Sequence, residues 1–234
     1  MIIKQYFAEA QGFLEQKNFD GARSKYRQIM AGYTGTEFAQ QAEAALPAIG
    51  PLAVAYYQSE GEKNFQPTAA GQFMQPQDKA AEDYARMYAE CRSDDSLAGQ
   101  ADFALLQWSR ALGTQGKTDQ AIGNLQQLLR EHPFSEQAAQ AKFQLGFLLG
   151  SNSQRQYKEA VTWMQKVWTD HPGTEQAASA LWHAAFYQAW QGSYADGLPY
   201  LEKLQQEYST SPRAQFAAQW IETFKQRINQ PESS

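Results

Sequence analysis

The apolar positions of this chain recur at helical spacing, and the whole arrangement then recurs. The segment KTDQAIGNLQQLL, from Lys117 to Leu129, places Ala121 four residues before Leu125, and YKEAVTWMQKV, from Tyr157 to Val167, does the same with Ala160 and Met164. A small and a large apolar residue at i and i+4 share one face of a helix. These segments alternate with two near copies of one phrase, EHPFSEQAAQAKFQLGF (Glu131–Phe147) and DHPGTEQAASALWHAAF (Asp170–Phe186), whose prolines are 172 − 133 = 39 residues apart. Each copy opens on a hydroxyl residue followed by an acid, Ser135-Glu136 and Thr174-Glu175; a third copy, EYSTSPRAQFAAQWIETF from Glu207, opens on Ser211-Pro212. Hydroxyl N-caps followed by an acid or a first-turn proline mark helix starts, so the pattern predicts helices that restart in register.

The middle of the chain breaks the rhythm. Pro47 and Pro51 interrupt an otherwise helical reading of TEFAQQAEAALPAIGPLAVAYYQ and predict a kink or a break into two short helices. GEKNFQPTAAGQFMQPQ, Gly61 to Gln77, lacks helical periodicity and reads as a long loop. A helix over 78–91 then resumes the pattern, with Ala80 and Tyr84 in the slots of Ala121 and Leu125. The organisation expected is N-terminal helices over 1–60, an irregular loop over 61–77, repeats over 78–210 and a capping helix over 211–229, in which Gln215, Glu222, Lys225 and Arg227 interleave with Phe216, Trp220 and Phe224.

Leu105, Trp108-Ser109, Leu112, Gly116, Ala121, Leu125, Leu128 and Pro133 form one unit; Leu145-Gly146, Leu149, Tyr157, Ala160, Met164, Val167 and Pro172 form the next. Ala184-Ala185, Tyr194, Gly197, Leu201 and Leu204 continue the series, and Tyr6, Ala10, Phe13, Phe19, Ala22 and Tyr26 begin it. This order resembles the tetratricopeptide (TPR) repeat. The step of 39 exceeds the usual one of about 34, and the lengthened form is similar to repeats of bacterial envelope proteins, including outer-membrane assembly lipoproteins and the periplasmic partner of the Tol-Pal system. The resemblance implies an all-α fold, a right-handed superhelical solenoid of antiparallel helix pairs closed by a C-terminal capping helix. It implies a scaffold that binds a peptide or partner protein in a concave groove, in the periplasm or cell envelope, with the cytoplasm as the alternative compartment. A structural subunit that stacks into a larger assembly is the second reading. Independently of the resemblance, small residues at Ala121, Gly146, Ala160 and Ala185 are what crossing helices need to approach closely.

Charge and composition exclude other classes. A formal net charge of −5, with no cluster of Lys and Arg, argues against a nucleic-acid partner. The single Cys91 supplies neither a disulfide nor a thiol pair. The longest apolar run, Phe143 to Gly150 with Gln144 inside it, is far short of the ~20 residues that cross a bilayer, so no span is expected in this chain. Met1 to Lys4 is too short for the apolar region of a signal peptide.

Candidate chemistry is sparse. His132 and His171 hold the same place in the repeated phrase and read as turn residues near helix ends; His183 has no Cys, Asp or Glu at ligand spacing. Asp94-Asp95 and Glu82-Asp83 fall in a turn and on a polar helix face, and neither a nucleophile elbow nor a phosphate-cradling loop occurs. No catalytic residue, metal site or cofactor is expected. The candidates are instead aromatic: the 39-residue step takes Phe143 to Trp182 and Phe147 to Phe186. By the TPR comparison these slots face the groove, where Trp190, Phe103 and Arg110 join them. The other reading makes the stripe core, the commoner fate of apolar residues at helical spacing. A clamp for chaperone-tail carboxylates is not expected, because Phe7 and Gln11 stand where it uses Lys and Asn.

Overall fold

The computed structural model describes residues 2–65 and 77–229. Among these residues the chain is helical, with two 3-10 turns and no strand, and it divides into two compact units, Met1–Ala111 and Leu112–Ser234. The division falls inside 78–210, which the sequence presents as one run of repeats.

The first unit holds α1 (Ile2–Glu15), α2 (Phe19–Gly32), α3 (Glu37–Ala45), α4 (Ile49–Phe65), α5 (Gln77–Ser93) and most of α6 (Ala101–Thr114). The two prolines produce a break: a 3-10 turn over Leu46–Ala48, with Pro47 in it, separates α3 from α4. Pro51 falls in the first turn of α4, where its missing N–H would have no helical partner. α4 continues through Gly61–Phe65, the first residues of the segment expected to be a loop, and Gln77 already belongs to α5; residues 66–76 of that segment lie outside the described residues. Within this continuation the buried ring of Tyr84 seats against the backbone of Gly61, where a Cβ would stand 2.8 Å from Tyr84 Cζ. Ala80 and Tyr84, read as a second-helix pair, are both buried.

The second unit repeats one hairpin. Its helices are α7 (Thr118–Glu131), α8 (Ala138–Ser151), α9 (Tyr157–Asp170), α10 (Glu175–Trp190), α11 (Tyr194–Glu207) and α12 (Pro212–Asn229). Each packs on the next, and α10 also packs on α8 and α12, so these three lie side by side in one layer. Ala121, Leu125, Ala160 and Met164 are wholly buried, as the i, i+4 pattern requires. Close approach sets the small residues: a Cβ on Gly146 would lie 3.1 Å from Ala160 O, one on Gly197 2.7 Å from Ala185 O, and one on Gly150 2.3 Å from Tyr187 Cζ.

In the three copies of the repeated phrase the helix starts follow the caps, with one exception. Thr174 Oγ1 accepts from Ala177 N at 3.2 Å and donates to His171 O at 2.8 Å, and Gly173 enters with φ +79. Gly35-Thr36-Glu37 repeats this turn in the first unit, with Thr36 Oγ1 accepting from Ala39 N at 3.4 Å. In the copy beginning at Glu131, Phe134 stands where Gly173 would be. A side chain there resists positive φ, Ser135 Oγ accepts instead from Gln137 N at 2.9 Å, and α8 begins only at Ala138. The expected restart in register is therefore two residues late in α8. In α12 the buried stripe is Ala214, Ala217, Ile221 and Phe224. Phe216 and Trp220, which the sequence interleaves with the polar residues of the cap as its apolar side, are exposed.

Candidate functional site

The layer formed by α8, α10 and α12 presents a continuous aromatic band. On α8, Phe143 and Phe147 flank the ring of His183 on α10, at centroid distances of 5.6 and 5.5 Å. Along α10, Trp182 meets Phe186 at 4.8 Å and Phe186 meets Trp190 at 6.3 Å. Phe186 then crosses to α12, edge-on to Trp220 at 4.8 Å. Polar contacts tie the same helices at the other end: Gln176 Nε2 donates to Gln140 Oε1 at 3.1 Å, and Arg213 Nε donates to Ser179 Oγ at 2.9 Å.

Burial separates this band from the core beneath it. Leu145, Leu149, Leu181 and Ala185, on the same helices, are buried, whereas Phe143, Trp182 and Phe186 are half-buried. Phe147 is 39% exposed, Trp190 59%, Phe216 60% and Trp220 38%. The rings are thus fixed at the base by their neighbours and open at the top. Large rings held in place with little rotamer freedom are the kind of residue that anchors interfaces. Of the seven residues singled out by sequence, five come together here: Phe143, Phe147, Trp182, Phe186 and Trp190. Phe103 and Arg110 belong to the first unit, where Phe103 sits edge-on to Tyr84 at 6.5 Å and the Arg110 guanidinium lies 5.2 Å from the centre of the Phe65 ring and donates to Gln107 Oε1 at 3.0 Å.

Sequence reasoning missed Phe216, Trp220, His183 and Arg213 as members of the band. A 39-residue step from Trp182 reaches Ile221, which is buried. Aligning the caps, Thr174 with Ser211, gives 211 − 174 = 37, which carries Ser179 to Phe216 and His183 to Trp220. The N-cap was the better register mark.

Electrostatics within the band is set by two groups. Burial among the rings, reinforced by the positive charge of Arg213, pushes the His183 imidazole down from its ordinary 6.5 to about 4, so it is neutral at pH 7. Trp182, Pro212, Arg213, Phe216 and Glu175 line a pocket of about 290 Å³ at the end of the band. His132 and His171 are helix C-caps, their N–H groups donating to Leu128 O and Val167 O. Lys142 Nζ lies 2.7 Å from Asp170 Oδ2 and holds that carboxyl below the usual range.

The first unit has a larger open cleft of about 1020 Å³. Its charges are largely spent internally: Arg23 pairs bidentately with Glu90, and Arg86 hydrogen-bonds Tyr57. Cys91 is buried and its thiol is pushed up to about 11, away from reactivity. Among the described residues, no three His, Cys, Asp or Glu side chains could together hold a metal ion, and no helix is long and apolar enough to cross a membrane.

Comparison with known proteins agrees with this architecture. Residues 103–135, which cover most of α6 and α7, match the tetratricopeptide repeat. A crystal structure of MamA is similar in fold at 14% identity and a TM-score of 0.53, covering 86% of this chain and 95% of that one. MamA 41-end from Desulfovibrio magneticus RS-1 is 14% identical with a TM-score of 0.51, covering 77% and 98%. A tetratricopeptide repeat protein from Parabacteroides merdae ATCC 43184 is 13% identical with a TM-score of 0.52, covering 97% of this chain and 73% of that one. No curated protein matches the sequence significantly. The fold class is that of TPR solenoids, all-α and built of antiparallel helix pairs.

Proposed function

We propose that the chain is a non-catalytic interaction scaffold of the bacterial cell envelope, and that the band on α8, α10 and α12 receives a peptide or partner protein. The observation that carries this reading is the exposure of Phe147, Trp190, Phe216 and Trp220 beside the buried stripes by which α8, α10 and α12 pack into the second unit. Contiguous apolar surface on a rigid support is costly to leave open to water and marks an interaction site. The repeat fold supplies the support: each hairpin buries its small residues against the next, so rings on one layer stay in register. Phe103 and Arg110 remain candidates for a separate contact on the first unit. Envelope placement rests on the similarity of the 39-residue step to envelope repeats.

The test is substitution of exposed rings. Trp190→Ala and Trp220→Ala are expected to leave the thermal midpoint near that of the parent protein and to abolish retention of the partner captured by the parent. Phe134→Ala is the control, since Phe134 is 99% exposed and lies outside the band. Equal loss of partner in Phe134→Ala, or retention in all three variants, would refute the assignment.

The second reading, a structural subunit of an assembly, is favoured by the last helix, where Phe216, Trp220 and Ile228 are all exposed. It predicts a mass in solution that grows with concentration and stops growing in Phe216→Ser; a mass that stays that of one chain would oppose it.

A further inference from the structure

The band carries one fixed positive charge. Arg213, in the first turn of α12, reaches α10 and donates through Nε to Ser179 Oγ at 2.9 Å, and Ser179 is itself buried, at 7% exposure. That bond fixes one edge of the guanidinium. Its Nη groups make no ion pair with a described residue. A guanidinium is a planar fork matched to a carboxylate, and one already held by a buried hydroxyl has little freedom left to lose on binding. Trp182, Phe216 and Pro212 wall the pocket of about 290 Å³ that Arg213 lines, close to the lower end of ordinary ligand sites. The uncompensated charge is felt nearby, where it disfavours a proton on His183. Glu175 opposes it at the rim: it lines the same pocket, is exposed, and forms no ion pair with Arg213.

We infer that this pocket takes an Asp or Glu side chain standing beside a large apolar residue in the bound segment, with the carboxylate on Arg213 and the apolar side chain against Trp182 and Phe216. The inference deepens the proposed function and rests on the band being a binding surface. Charge complementarity selects the acidic group, because the band offers an unpaired cation where the rest of the chain is net negative. The aromatic walls select the apolar neighbour, and by excluding water they strengthen the ionic contact.

The experiment compares short random-sequence peptide libraries, acetylated and amidated, that differ only in a fixed central pair: Leu-Asp, Leu-Asn or Leu-Lys. Fluorescence anisotropy with the full chain should rank them in that order, with the acidic library about tenfold tighter than the neutral one. Arg213→Gln should erase the difference and Arg213→Lys should keep part of it. Glu175→Gln should strengthen acidic binding, and this arm decides the matter if Arg213→Gln fails to fold. Equal binding of all three libraries, an acidic preference that survives Arg213→Gln, or no gain in Glu175→Gln would overturn the inference. A Leu-Asn library with a free C-terminus that binds as well as Leu-Asp would overturn the side-chain assignment in favour of a chain end. Self-association lost in Phe216→Ser, without acidic preference, would assign the pocket to a second copy and overturn it as well. Binding without acidic preference defeats this inference alone, whereas no binding by any library defeats the binding face too.

Discussion

Acidification should weaken the second unit through His183. The folded imidazole is held near 4 by burial between Phe143, Phe147 and Tyr187 and by the charge of Arg213, while in the unfolded chain it returns to about 6.5. Below pH 6.5 the unfolded state therefore binds a proton that the folded state refuses, and stability falls with pH until both forms are protonated below pH 4. With those two values the loss between pH 7 and pH 5 is about 2 kcal/mol. Urea unfolding followed by tryptophan fluorescence reads the right unit, because Trp163, Trp168, Trp182, Trp190 and Trp220 belong to it and only Trp108 to the other. Burial lowers His171 as well, so the decisive quantity is the difference between the parent and His183→Gln. Glu9, Glu60, Asp94 and Asp170, all lowered, lose their stabilising ionisation in the same direction, but only as the pH approaches the carboxylate range, which is why the comparison stops at pH 5. The variant should lose most of the slope. An unchanged slope in His183→Gln, or an NMR titration placing His183 near 6.5, would refute the reasoning.

Other outcomes follow from packing and backbone geometry. Gly150→Ala drives a Cβ to 2.3 Å from the Tyr187 ring and should lower stability by about 1–3 kcal/mol in urea unfolding, whereas Gly123→Ala, in open space on α7, should raise it by about 0.5–1 kcal/mol. Arg155→Gly should stabilise by up to about 1 kcal/mol, because Arg155 holds φ +48 at the turn position that Gly116 and Gly192 fill in the neighbouring hairpins; a loss of stability would contradict this. The Asp83 carboxyl is 6% exposed and burial raises its pKa, so the folded state favours the protonated form and loses stability as pH rises through that value. Asp83→Asn, which can still accept from Asn64 Nδ2, should raise the thermal midpoint at pH 7 and reduce its pH dependence.

The fold was legible because its determinants are local and repeated. Ala121, Leu125, Ala160 and Met164 announce a buried face by spacing alone, and Thr174 announces a helix start that the structure builds with that residue's own hydroxyl. The exceptions have separate origins. Phe134 in place of glycine delays α8, and α4 runs on, with Tyr84 packed against Gly61, into a stretch whose composition reads as a loop. The band was half legible. A fixed step finds Trp182 and Phe186 from Phe143 and Phe147, but the turn from α10 to α11 is two residues shorter than that from α8 to α9, and Phe216 and Trp220 come into line only when counted from the N-cap. Arg213 and Ser179 carry no signal in sequence, since a polar pair joining two neighbouring helices is set by the crossing geometry rather than by any spacing along one of them.

Occupancy of the aromatic band in the living cell is the most direct test. A photo-crosslinking phenylalanine analogue would be placed in turn at Phe147, Trp190, Trp220 and, outside the band, at Phe134. One and the same partner protein should be trapped from the first three positions and not from the fourth. A partner trapped only at Phe134, or at all four positions alike, would contradict the account.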